Sequence, residues 1–525
     1  MNLSRRLAIG GAVGTTLSAL SGVSLAQAAH TPRQKLEAFM KSKAYVEALK
    51  RGVSVMKSRK PSEPGSWFFQ AAIHGVGQEA IDDALAKDPG VASAVKYWNQ
   101  RPELDAPLAD RVLWNRAHLY YFERHLRAAS GEPSLSLPYW NFTDPTQRTF
   151  PAVFADREPD SAGNATNPLY DPRREQGLVA QLYALPESIA GPGVAPMENS
   201  QFGPELSDGL GNHGPARGRL KQTPLDLIHF AIGGAIGLGD PGPSGGQSET
   251  SGLMANVPTA AFDPVFWVLH ANIDRLWDNY DCTSDLLSGS SPDVSWVEAR
   301  PWRFPDVDGL VKSERRRFYL NLGNLPVAYD SDPVGWQPRS QTKLPERPDR
   351  AHLALLLHKG ITSASLQKEV STTLSDTDPF VLNLEVPFGR TATGKSGTNF
   401  RPSTLELRGL KLTGVPAVGY DIYVNAGSLG LEHNSPSYVG MIPLFGLGRG
   451  QVERKRPDQS AIKVEEVVLK FDVSAVPLSA SEMLELTIVP FDLLQPIGTT
   501  QRLRRRGALF IREIALITSA PNSAP

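Results

Sequence analysis

The sequence predicts an α+β chain of more than one domain, a helical bundle followed by an antiparallel β-sandwich. Between Pro107 and Ala129 apolar side chains recur at helical spacing, with Leu108, Val112, Leu119, Phe122 and Leu126 along one stripe. After about residue 345 the pattern changes to short runs rich in β-branched residues, several alternating with period two. Such runs bounded by turn residues suit a sandwich of two antiparallel sheets. The length of 525 residues, 41% apolar and 21% charged, supplies ample core for both parts. The expected division is a helical domain over 30–340 and a β domain over 345–525, behind a leader over 1–29.

The leader reads as an export signal. Ser4-Arg5-Arg6-Leu7 precedes a Gly-, Ala- and Leu-rich stretch to about Leu25, and Ala26-Gln27-Ala28 supplies a small-residue cleavage pattern. The Arg pair points to a twin-arginine signal; an ordinary secretory signal with a chance Arg pair is the alternative. Either predicts a periplasmic or secreted protein starting near Ala29. No later stretch of 18 apolar residues predicts a membrane span. Lys and Arg total 54 against 55 for Asp and Glu, so no net field favours nucleic acid or an anionic membrane. The single cysteine, Cys282, excludes an intramolecular disulfide and any Cys-rich metal site.

Residues 31–135 read as mainly helical. The stretch 140–220 is rich in Pro, Gly, Asn and Asp, with one short helix near Leu178–Leu185. Helices follow over Pro224–Ile232 and Asp263–Tyr280, separated by a Gly/Pro/Ser-rich loop at 233–252. Strands are expected at Phe380–Val386, Tyr420–Val424, Val464–Val473 and Leu484–Val489. The basic run Arg502–Arg506 reads as a solvated turn.

The stretch Asp263-Pro-Val-Phe-Trp-Val-Leu-His270-Ala-Asn-Ile-Asp274-Arg275-Leu-Trp277 carries the chemistry. Pro264 starts a helix, His270 sits one and a half turns in, and Asp274 follows at i+4 with Arg275 beside it as an ion-pair partner. A lone helical His is ordinarily a satisfied core residue. This stretch, however, resembles the second copper signature of the tyrosinases, catechol oxidases and haemocyanin-like domains. Further segments resemble the same family in the same order. They are Trp67–Gly75, ending on His74; Leu113–Glu123, like the family's W-H-R-x-Y helix; Thr223–His229, like T-P-H-x-x-x-H with the glycine pair Gly233-Gly234 after it; and Gly252–Ala255. Tyr420–Asn425 and Lys470-Phe-Asp-Val473 are similar to the C-terminal domain of plant-type polyphenol oxidases, which covers the active-site mouth and inserts an apolar plug.

The resemblance implies O2-dependent oxidation of phenols or catechols at two coppers. Neutral imidazole suits both copper oxidation states, and three per metal leave an open face. Here Asn115 stands at the W-H-R ligand position and Leu225 at the T-P-H position. Alignment by motif leaves His74, His229 and His270 as metal ligands. Glu103, His118 and Asp226 are the auxiliary candidates, although a packed His118 is the plainer reading. His125 is expected to point elsewhere, and His213 to lie in a solvated loop. Three functions stay open. One is a divergent phenol oxidase. Another is a catalytically silent binding module or partner subunit of an active paralogue. The third is an enzyme with a single copper or zinc.

Overall fold

The N-terminal part is built on α1 (Lys43–Ser58), α2 (Trp67–His74), α3 (Gln78–Lys87), α4 (Leu108–Ser130), α5 (Pro224–Gly233) and α6 (Val265–Asn279). The computed structural model describes residues 32–102, 108–190, 224–236, 250–279, 300–320, 363–385, 483–503 and 507–519, and most of 325–330, 401–447 and 468–476. The leader, Glu103, His213, Cys282 and the expected boundary near residue 345 lie outside the described residues.

Amphipathic α1 buries Val46, Leu49, Val53 and Met56, one stripe at helical spacing. Gly52 lets α1 close on α4, because a Cβ there would stand 2.8 Å from Leu126 Cδ1. The α4 helix is buried on most of its circumference: Leu113, Trp114, Ala117, Phe122 and Leu126 are all in the core. Both α1 and α6 pack on it. The expected helix over 107–129 matches it within a residue.

A hairpin not expected from the sequence, β1 (Trp302–Pro305) with β2 (Val311–Glu314), follows the helices in antiparallel register. It places Phe304 against Tyr121 of α4, with ring centroids 5.1 Å apart.

The C-terminal part contains two antiparallel sheets. Their strands are β3 (Ser363–Thr373), β4 (Phe380–Glu385), β5 (Arg401–Arg408), β6 (Lys411–Thr413), β7 (Val418–Val424), β8 (Tyr438–Met441), β9 (Val468–Asp472), β10 (Met483–Asp492) and β11 (Ala508–Ser519). One sheet runs β8-β7-β10-β4; the other runs β9-β5-β11-β3, with β6 also on β11. In the second, Leu405 faces Leu516 and Leu407 faces Ile514, all four buried. Pro490 is tolerated in β10 because β4 pairs only as far as Ile488, so no ladder bond on that side is lost.

The two parts touch directly. A short antiparallel ladder joins Tyr183–Ala184 to Gln495–Pro496, and the Ile497 amide donates to the Leu182 carbonyl at 3.0 Å. The buried apolar side chains of both parts form one continuous cluster. Among the described residues no helix is long and apolar enough to cross a membrane.

Candidate metal centre

Each site-bearing helix is held by local sequence. Ser66 caps α2, its hydroxyl accepting from the Phe69 amide at 3.0 Å. His74 is the last residue of that helix. Gly75 then runs so close to the next loop that a Cβ would lie 2.8 Å from the Val257 carbonyl oxygen. Gly233 ends α5 against the 253–255 turn, where a Cβ would meet Ala255 N at 2.2 Å. Asp263 caps α6: its carboxylate accepts from the Val265 amide at 2.9 Å and from both Nε and Nη2 of Arg174, a fully buried pair.

Asp274, one turn beyond His270, anchors α6 from its other end. It accepts from Arg116 Nε at 2.5 Å, Arg33 Nη1 at 3.1 Å and the Tyr329 hydroxyl at 2.6 Å. The expectation that Arg275 serves Asp274 is corrected by this geometry. Arg275 bonds Asn272 and Asn141 at 2.9 Å each and lies over the Tyr139 ring. Neighbours along a helix are some 100° apart, so Arg275 faces another side.

His229 and His270 meet. Their Nε2 atoms are 2.8 Å apart and their ring centroids 5.0 Å apart. Tautomers follow from the partners. His229 Nδ1 faces the Met254 carbonyl at 3.3 Å and must carry the proton. In a neutral ring its Nε2 then accepts, so His270 Nε2 donates. His270 Nδ1 is left as a buried acceptor without a partner.

His74 and His118 stand further off. The His74 centroid is 6.5 Å from that of His270 and 6.5 Å from that of His118. His118 Nε2 donates to the Gln70 carbonyl at 2.9 Å, and its ring packs between Trp114 and Trp267, both at 4.9 Å. That is the packed reading of His118. His125 turns to the Pro305 carbonyl at 3.1 Å, away from the cluster. Asn115 folds back on its own helix, Nδ2 donating to the Arg111 carbonyl at 2.9 Å. Leu225 and Asp226 lie on α5, and their side chains fall outside the described residues.

Burial drives all four imidazoles towards the neutral form, His118 and His229 down to about 3. His74 and His270 are also held well below the ordinary value by burial, with Arg101 and the neighbouring histidines adding to it.

Two residues not singled out from the sequence complete the site. Phe445, between β8 and β9, lays its ring on His229 with centroids 4.5 Å apart. Arg101 holds its guanidinium 5.8 Å from that ring. The apolar run Met441-Ile-Pro-Leu-Phe445 leading out of a strand was the available signal for the first. Among the described residues no three His, Cys, Asp or Glu side chains gather closely enough to hold a metal ion.

The model of the common central domain of tyrosinase matches residues 64–205 and 199–282, the span that contains α2, α4, α5 and α6. Over 439 residues the chain is 26% identical to tyrosinase HcTyr1 of Hahella sp. (strain CCB-MM4), covering 78% of this chain and 85% of that protein. Over 487 residues it is 24% identical to the chloroplastic (+)-larreatricin hydroxylase of Larrea tridentata, covering 85% and 73%. In fold it is similar to a recombinantly expressed latent aurone synthase (polyphenol oxidase) co-crystallized with hexatungstotellurate(VI) and soaked in H2O2. The TM-score there is 0.50 at 18% identity, over 94% of this chain and 89% of that one. Those matches and the ordered copper-site motifs support a tyrosinase-family protein.

Proposed function

We propose that this protein keeps the tyrosinase-family pocket as an enclosed binding site and has lost coupled two-copper oxidation. The family's chemistry is oxidation of phenols and catechols, and the family implies type-3 copper. The residues present do not fit a copper pair. Asn115 and Leu225 stand where the motifs call for imidazoles, and an amide and an isobutyl group cannot replace them. The observation that carries the reading is the direct Nε2–Nε2 bond of His229 and His270, made beneath the Phe445 ring. The two Nε2 atoms satisfy each other, while His270 Nδ1 keeps no partner.

In this reading residues 1–29 export the chain through the twin-arginine route to the periplasm or beyond. The helical domain over 30–340 carries the pocket, and the domain over 345–525 is a β-sandwich that shields it through Phe445. A phenolic compound or an active paralogue is the natural partner.

The test is metal analysis of the purified chain after copper reconstitution, paired with oxygen uptake on a catechol. Fewer than one copper per chain and no uptake are expected. Two coppers per chain would overturn the reading. A second reading, one metal on His229 and His270, has one observation in its favour: nitrogens 2.8 Å apart can both reach an ion at about 2 Å. One tightly held metal per chain would establish it instead.

A further inference from the structure

We infer that Arg148 is the anchor of a small oxoanion site, for a carboxylate or a phosphate, at the seam where the helical and β parts join. The site uses none of the pocket histidines and is independent of any metal bound there.

Arg148 belongs to the seam through its backbone. It follows the turn Pro145–Gln147, and its carbonyl accepts from the Leu185 amide at 3.0 Å. Thr149 then bridges Ala184 in antiparallel fashion, and Ala184 pairs with Gln495 of the β part. Arg148 is thus one segment away from the ladder that ties the two parts together.

The side chain of Arg148 is only 11% exposed, and its Nε and Nη2 are both buried without a hydrogen-bond partner. These donors share one edge of the guanidinium, an edge that grips two oxygens at once. Elsewhere in this fold that edge holds a carboxylate. Arg173 grips Asp171, Arg174 grips Asp263 and Arg408 grips Glu406, each through Nε and Nη2 at 2.6–2.9 Å. Neither acid near Arg148 serves it in this way. Glu187 stands 3.8 Å from Nη1, beyond hydrogen-bond length, and is itself 77% exposed. Asp144 feels the Arg148 charge but accepts from the Thr146 amide at 3.0 Å and hydroxyl at 2.8 Å. Two desolvated charged donors without an acceptor are costly, and a planar anion with two oxygens satisfies both together. The edge is closed to solvent, so the anion enters as the seam loosens and then holds it shut.

The experiment follows calorimetric unfolding of the full chain in chloride, acetate and phosphate at equal pH and ionic strength. Acetate, phosphate or both should raise the midpoint above that in chloride by about 2 °C, saturating with concentration as a single site requires. Titration calorimetry of the same anions reads the binding directly. Arg148→Gln should weaken it at least about tenfold, and Arg148→Lys should keep part of it, having the charge without the paired donors. Glu187→Gln should tighten it, because a neighbouring negative charge is gone. Arg148→Met should raise the midpoint in chloride, since it removes an unpaired buried charge, and should no longer respond to either anion. A midpoint that is the same in all three salts would overturn the inference. So would a rise that never saturates and persists in Arg148→Gln, which marks general exclusion of the salt from the surface.

Discussion

At the scale of single residues, the proposed loss of the copper pair rests on Asn115 and Leu225. Each stands at one position that the family motifs assign to an imidazole, and the Asn115 amide donates to the Arg111 carbonyl of its own helix. Restoring the nitrogens tests this directly. The double variant Asn115→His with Leu225→His should retain at least one more copper per chain than the natural chain after dialysis, read by metal analysis. Equal retention would mean that the pocket, not its donors, sets the metal content. Asp274 provides a second residue-scale prediction. Burial alone would raise its carboxyl, but Arg116 and Arg33 overcome that and hold it below the ordinary value. Its stabilising effect is therefore in place above the unfolded carboxylate range, and is lost as pH falls through the lower folded value. The unfolding free-energy difference between the natural chain and Asp274→Asn should be constant above about pH 5 and shrink below about pH 4. Arg116→Met breaks a buried pair and should cost about 3–5 kcal/mol in urea unfolding at pH 7.

At the scale of elements, helices bring the histidines together because glycines let them approach. Gly75→Ala would push a Cβ to 2.8 Å from the Val257 carbonyl oxygen and 3.0 Å from Pro258 Cα, both backbone atoms that cannot swing aside. It should cost about 1–3 kcal/mol, more than the roughly 1 kcal/mol of removing the α2 cap with Ser66→Ala. Thermal unfolding of the two variants side by side checks the order. The same elements show what could be read from sequence. The helix over 107–129 and the start of α6 were legible because the apolar stripe and Pro264 are local signals. The charge partners of Asp274 were not, because Arg33, Arg116 and Tyr329 arrive from remote parts of the chain. Strand β11 escaped for another reason. Leu509 and Ile511 are buried, then the register shifts between Ile511 and Glu513, and Ile514 and Leu516 are buried in the opposite phase. A bulge breaks the period-two pattern on which strand reading depends. Strand β3 escaped because its Ser, Gln, Lys, Glu and Thr residues make a polar edge.

At the scale of the molecule, the β part was legible from Tyr420–Val424 and Lys470–Val473, but its contact with His229 was not. The Phe445–His229 contact joins two parts of the chain, and no local pattern encodes such a meeting. That contact and the ladder of Tyr183–Ala184 with Gln495–Pro496 join the two parts. Any metal bound only by the folded state would add stability by mass action, about 4 kcal/mol at a thousandfold excess over its dissociation constant. In the proposed reading His229 and His270 bond each other beneath Phe445 and the fold has no such dependence. Calorimetric unfolding of the full chain should therefore give the same midpoint with and without excess chelator, to within about 1 °C. Phe445→Ala should instead lower the midpoint, since removing a buried phenyl ring costs about 3–5 kcal/mol. A chelator-induced drop as large as that of the alanine variant would place a metal, and not the aromatic contact, at the heart of the fold.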